Sequence, residues 1–286
     1  MKPTKLRRAV FAGSWYPSSA AECEKEIEGF LAEGQKIDFP AGKRVGGIVP
    51  HAGWFFSGSI ACNVIRCLKF DDPPDVFVVF GMHLHPESPR VMMAEGAWET
   101  PFGEIRVAEQ MTRELTKQFS FALESPGSFS QDNTIELQLP FIKYFFSEVQ
   151  IVAMGVPPAR SSLEIGRAVV DIADHLGLRI RVIGSTDLTH YGRNYGFVSE
   201  GTGLKAVDWV RGQNDRRIIE LMLAMDAENV IDEALASHNA CCAGAAATAI
   251  ETAKHLGASR GESMAYATSY DKSPGDSFVG YAGIVY

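Results

Sequence analysis

The chain has 286 residues, 46% hydrophobic and 22% charged, with a formal charge of −8 and five cysteines. That profile fits a globular chain long enough to bury a core without disulfides, and its acidity disfavours non-specific nucleic-acid binding. An odd cysteine count makes no disulfide framework, no apolar run approaches the ~20 residues of a membrane span, and residues 10–13 are too short for a signal-peptide core. We therefore expect a reduced, soluble, cytoplasmic protein with neither a membrane nor a nucleic-acid partner.

Residues 8–17 read as a short extended segment closed by Pro17, followed by a helix to about Lys36 with Cys23, Ile27, Phe30 and Leu31 at helical spacing. A turn is expected at 38–43. Residues 45–49 form a short apolar strand that breaks at Pro50 and presents His51. A helix over about 59–68 follows, then a break at 71–74. Val76 to Phe80 is a continuous apolar run, as in a strand buried on both faces, and it delivers His83 and His85. A strand at 90–94, a loop at 99–104, a helix over 108–118 and a polar loop at 125–133 come next. Residues 135–146 read as one helix with Glu136 in its first turn, where the helix dipole favours an anion. A strand at 150–156, a helix at 161–176 and a strand at 178–183 lead to Asp187 and His190. Helices are expected at 215–225 and 227–236. Cys241 and Cys242 open an Ala-rich helix to about His255, and strands at 264–268 and 278–285 close the chain. The alternation of strands and helices predicts one α/β domain, a mostly parallel or mixed sheet flanked by helices.

Three apolar strands thus end in loops carrying histidine: His51, then His83 and His85, then His190. If those strands run parallel, the loops share one sheet edge, where open α/β sheets build their sites. His83 and His85, two apart on extended chain, would point to the same face. Asp187, three residues before His190, suits a carboxylate that orients a general base. A thiol at the start of a helix becomes a better ligand or nucleophile, and adjacent cysteines point in different directions, so one of Cys241 and Cys242 is expected to act. Trp15 and Trp54 are candidate pocket walls. There is no P-loop, GxGxxG or GxSxG, so no nucleotide cofactor is indicated.

With these residues laid out, the chain resembles the Memo family. The matching segments are AGSWYP (12–17), VPHAGWFFSG (49–58), FG-x-x-x-H (80–85), TPFGE (100–104), DNTIELQLPF (132–141), STDLTHYG (185–192), HNACC (238–242) and VGYAGIVY (279–286). The resemblance implies a fold similar to the catalytic subunit of class III extradiol dioxygenases. It also implies a metal site of two His and one Cys, where those enzymes use two His and a Glu. Mapped by position, the ligands would be His51, His85 and Cys242, with His190 where the dioxygenases keep a catalytic base. Counted without gaps from Gly81 the ligand is His85; His83 falls where the family often has Ser and is the second choice. Two departures stand out: Asn133 replaces a usual His at the pocket, and Ala243-Gly244-Ala245-Ala246 replaces a Gly-x-Gly-Pro run.

Two imidazoles and a thiolate suit iron, copper or zinc. The leading expectation is a metal-dependent redox enzyme acting on a small aromatic or chelating substrate. His190 would move a proton, Asp187 would orient it, and Trp15, Trp54 and Asn133 would contact substrate. The alternatives are a non-catalytic module holding a peptide or phosphorylated ligand, a role attributed to the family in animals, or a partner of a separate radical S-adenosylmethionine protein.

Overall fold

The computed structural model describes residues 5–34, 44–69 and 73–286. The turn expected at 38–43, the end of the first helix at Lys36 and the first half of the 71–74 break lie outside them. The first half of the chain contains β1 (Leu6–Arg7), α1 (Ala20–Gly34), β2 (Gly46–Val49), α2 (Trp54–Cys67), β3 (Val76–Gly81), β4 (Val91–Met93), β5 (Ala97–Thr100), β6 (Gly103–Arg106), α3 (Glu109–Gln118) and β7 (Ala122–Glu124). The second half adds α4 (Asn133–Glu136), α5 (Leu139–Phe145), β8 (Gln150–Gly155), α6 (Leu163–Leu176), β9 (Ile180–Ser185) and β10 (His190–Tyr191). It closes with α7 (Leu204–Trp209), α8 (Asp215–Leu223), α9 (Ala227–Ser237), α10 (Ala243–His255), β11 (Glu262–Thr268) and β12 (Phe278–Val285).

A nine-stranded mixed sheet orders its strands β10-β12-β2-β9-β3-β8-β4-β7, with β11 paired to β12. Its centre, β2-β9-β3-β8, is wholly parallel, while β12 and β4 join antiparallel on either side. A small sheet of β1, β5 and β6 lies apart. The registers Val49↔Ser185, Phe80↔Gly184 and Gly81↔Gly155 bring the carboxyl ends of the central strands level. The loops bearing His51, His83 and His190 therefore do share one edge.

The apolar run of β3 divides by the two-residue period of a strand. Val76, Val78 and Phe80 face a core layer built with α3, α6, α8, α9 and α10. Phe77 and Val79 face a second layer built with α1, α2 and α5. The Ala-rich sequence of α10 follows from its place. Every residue from Ala243 to Ala253 is buried, and the helix lies so close to the sheet that a Cβ on Gly184 would sit 2.6 Å from the Ala245 carbonyl oxygen. Small residues permit that approach; larger ones would push the helix, and the cysteines at its start, off the strand ends.

Several expected boundaries move. The helix at 135–146 splits into α4 and α5, because Asp132 caps the first and Pro140 restarts the second. The loop at 99–104 is the hairpin β5–β6, turning at Gly103 with φ +108°. The second helix begins at Trp54, five residues early. Helix α7 and the π-helical turn Val210–Asn214 were not expected at all.

Candidate metal centre

His51 leaves β2 beside the end of β9. Its backbone N–H donates to Asp187 Oδ1 at 2.7 Å, and its Nδ1 lies 3.0 Å from Ser185 Oγ. The Ser185 hydroxyl gives its one proton to the Thr134 carbonyl at 2.7 Å, so towards His51 it can only accept. That fixes a proton on Nδ1, so Nε2, 3.2 Å from Cys241 Sγ, is the nitrogen turned to the cluster. A ring held by Nδ1 with a free Nε2 is the usual arrangement of a metal-binding histidine.

His83 is held in the same way. Its Nδ1 lies 3.3 Å from Asp132 Oδ2, a carboxylate–imidazole pair of the kind that orients ligating histidines. Asp132 is itself fixed by the Thr134 backbone N–H at 2.9 Å and by the Thr134 hydroxyl. Thr134 Oγ1 also accepts the Met82 N–H at 2.7 Å. One threonine thus ties the ends of β3 and β9 to the capping loop of α4.

Cys241 and Cys242 arrive from the start of α10. The Cys241 N–H donates to the Asp187 carbonyl at 3.1 Å and the Cys242 N–H to Thr186 Oγ1 at 3.0 Å, while the two sulfurs lie 3.7 Å apart. One donor atom from each of His51, His83, Cys241 and Cys242 falls within 4.8 Å of all the others.

The electrostatics divide the thiols. Burial alone would raise Cys241, but a hydrogen bond from Cys242 and the two imidazoles outweigh it and hold the thiol well below its ordinary value. Burial and the neighbouring thiolate push Cys242 well up. Burial opposes charging of both histidines, yet Asp187 and Cys241 raise His51, and Asp132 and Cys241 raise His83 to about 10. Asp132 is lowered: its burial is overcome by His83 and Thr134. Asp187 is raised, chiefly by burial.

A cleft of about 550 Å³ opens over His51 and His83, lined also by Trp15, Asn133, Asp187, His190 and Tyr195. His190 Nδ1 lies 3.1 Å from the Leu188 carbonyl. A carbonyl only accepts, so Nδ1 carries the proton and Nε2 is the free acceptor. Asn133 Nδ2 donates to the His51 carbonyl at 2.9 Å. Trp15, 42% exposed, forms part of the rim. It is carried there by a tight turn that Glu136 anchors, its carboxylate accepting the N–H groups of Val10 and Phe11 and the Tyr16 hydroxyl.

Three expected placements change. His85 lies outside the cluster and faces a second cavity. Met82 adopts φ +70°, so the chain turns there instead of continuing extended, and His83 is the residue brought to His51. Trp54 is buried in the core, stacked on Phe141 at 4.1 Å with Nε1 donating to the Leu137 carbonyl; it does not line the cleft over the cluster. Asp187 turns to the His51 backbone, and the Leu188 carbonyl orients His190 in its place.

Residues not singled out beforehand complete the frame. Asp215 accepts from the Thr189 N–H at 3.0 Å, from its hydroxyl, and from the Tyr266 hydroxyl at 2.7 Å. Asn214 Nδ2 donates to Thr189 Oγ1 at 3.0 Å, and Asn239 Nδ2 to the Asn214 carbonyl at 2.9 Å. This buried network joins the residue before His190 to the loop before Cys241. The π-helical turn Val210–Asn214 presents it, and such turns recur at functional sites. Only the polar Asn-Asp pair inside an otherwise helical pattern hinted at it.

The family model described as Memo-like protein matches residues 7–285. A MEMO1 family protein of Pyrococcus furiosus is 34% identical, covering 98% of each chain. Others from Methanopyrus kandleri and Pyrobaculum aerophilum are 32% and 30% identical, covering 98% and 99% of each chain. An uncharacterised protein of Escherichia coli K12 is similar in crystal structure with a TM-score of 0.55, covering 85% of this chain and 99% of its own. At 9% identity it supports the fold alone. Matched along nearly its whole length, with relatives above 30% identity, the chain belongs to the Memo family.

Proposed function

We propose that the cluster is a metal centre and that the protein is a metal-dependent redox enzyme whose organic substrate occupies the adjoining cleft. The observation that carries this reading is the convergence of four soft or borderline donors, from two parallel strand ends and one helix start, beside an open cleft. The donors suit the group: His51 is held by Nδ1 with Nε2 turned to the cluster, His83 is oriented by a carboxylate, and Cys241 is held as thiolate, the form that binds metal. His51, His83 and Cys241 would hold the ion, and Cys242, kept as a buried thiol, hydrogen-bonds the thiolate. Imidazole and thiolate suit iron, copper and zinc. A bound redox-active ion would supply electron transfer and activation of O2 or substrate. His190, with its free Nε2 on the cleft wall, accepts a proton from substrate there. Trp15 offers an aromatic face at the rim.

A second reading has its own support, because two His and two Cys are also the donors of a closed structural zinc site. Oxygen uptake separates the two. Protein loaded anaerobically with Fe(II) or Cu(I) is exposed to O2 with a panel of hydroxylated aromatic compounds. The redox reading predicts uptake that requires both metal and one member of the panel. It predicts a fall of roughly 10²–10⁴-fold in His190→Ala, the usual contribution of a general base. Tight zinc alone, with no metal-dependent uptake from any loaded form, would favour the structural site.

A further inference from the structure

A second cavity, of about 640 Å³, lies on the other side of His190 and Tyr195 from the cleft, and those two residues line both. Its inner wall is Cys241, which does not line the cleft. The cluster therefore sits between two compartments, with His51 and His83 exposed to one and the Cys241 thiolate to the other.

The two differ in chemistry. Asp187 lines the cleft together with four serines, whereas no Lys, Arg, Asp or Glu lines the second cavity among the described residues. Its walls come mainly from Leu84, Pro158, Leu188, Phe197 and Leu235. The volume falls within the range of small-molecule sites. Polar side chains on its walls include three imidazoles, and one of these, His85, has a defined role. His85 Nδ1 accepts the Glu87 N–H at 3.3 Å, so in the neutral ring its proton sits on Nε2 as a donor. A donor in an apolar chamber that carries no Lys, Arg, Asp or Glu on its described walls matches the oxygen of a neutral hydroxyl group.

We propose that this cavity is a second binding site, for a neutral and largely hydrocarbon molecule bearing a hydroxyl group, and that its occupant reaches the Cys241 side of the cluster. The site gives His85 a role as ligand-binding residue apart from the metal donors. Only the meaning of its position rests on the redox reading; the binding itself does not.

The test uses the metal-free full chain, so its failure leaves metal binding untouched. The probe is 1-naphthol, followed by its fluorescence, beside the anionic naphthalene-1-sulfonate. The expected result is saturable binding of 1-naphthol that is at least tenfold tighter than that of the sulfonate. Binding weakens at least tenfold in Ala240→Phe, which fills the cavity, and also in Leu235→Glu, an exposed rim position where misfolding is not a concern. It is unchanged in Ser273→Trp, which obstructs the cleft. Bound 1-naphthol should also slow alkylation of Cys241 by N-phenylmaleimide, read by peptide mass mapping, while leaving the half-buried Cys67 unaffected. Absence of saturable binding, equal binding of the sulfonate, or sensitivity to Ser273→Trp in place of the cavity variants would overturn the proposal.

Discussion

At the scale of single residues, the site depends on which way neighbouring side chains turn. His83 and His85 have the same chemistry and lie two apart, and only the left-handed backbone at Met82 sends one to the cluster and the other to the second cavity. A residue count along the chain cannot register that turn, which is why positional comparison favours His85. The adjacent cysteines pose the same problem. Both reach the cluster, but the two imidazoles beside Cys241 and the deeper burial cost at Cys242 single out Cys241 as the thiolate, where positional mapping favours Cys242. His51 was legible because a strand broken by Pro50 must display its next polar side chain at the sheet edge. Asp132 was less so, since its bond to His83 spans 49 residues. Its removal should be felt: Asp132→Asn is predicted to weaken metal binding by roughly 10–100-fold, the usual cost of losing the carboxylate behind a ligating histidine. Competition with a chromophoric chelator measures this. Affinity equal to wild type would mean that Asp132 does not orient a ligand.

At the scale of elements, α10 and the π-helical turn hold the two halves of the site. Gly184 admits α10 against β9, and a Cβ there would also lie 2.9 Å from the Ala249 methyl. Gly184→Ala should therefore cost about 1–3 kcal/mol, typical of overpacking, as a lower midpoint in urea unfolding. An unchanged midpoint would show that the helix can shift freely. The small-residue run of α10 was readable from sequence as close packing. The Thr189–Asn214–Asp215–Asn239 network was not, because it links segments that only the fold brings together.

Asp215 also makes a prediction about pH. Burial raises its carboxyl from 3.8 to about 6, against the opposing bonds from Thr189 and Tyr266. The folded chain then binds this proton more tightly than the unfolded chain. The stability contributed is full below the unfolded value and lost as pH rises through about 6. The variant Asp215→Asn cannot titrate there. The stability of wild type relative to it should fall by roughly 2–3 kcal/mol between about pH 4 and pH 7, measured by denaturant unfolding at each pH. A constant difference would place the carboxyl at its ordinary value.

At the scale of the whole molecule, the architecture was the most legible part. Four central strands run parallel, so every loop at their carboxyl ends meets on one edge, and alternating strand and helix patterns are enough to anticipate that. The same topology explains how donors 190 residues apart in sequence, His51 and Cys241, come within 3.2 Å. Metal binding at such a site must displace protons, because both histidines are raised in the metal-free chain. Calorimetric titration in buffers of different ionisation enthalpy should show net proton release near neutral pH and tighter binding as pH rises. Binding without proton release would contradict this electrostatic picture.

The central claim is that His51, His83 and Cys241 hold the metal. The most direct measurement is the elemental content, by mass spectrometry, of anaerobically purified and metal-reconstituted protein, comparing wild type with His83→Ala, His85→Ala and Cys241→Ser. The account predicts near-stoichiometric metal in wild type and His85→Ala, and its loss in His83→Ala and Cys241→Ser. Metal retained by His83→Ala but lost from His85→Ala, or no tight binding by the wild type at all, would contradict it.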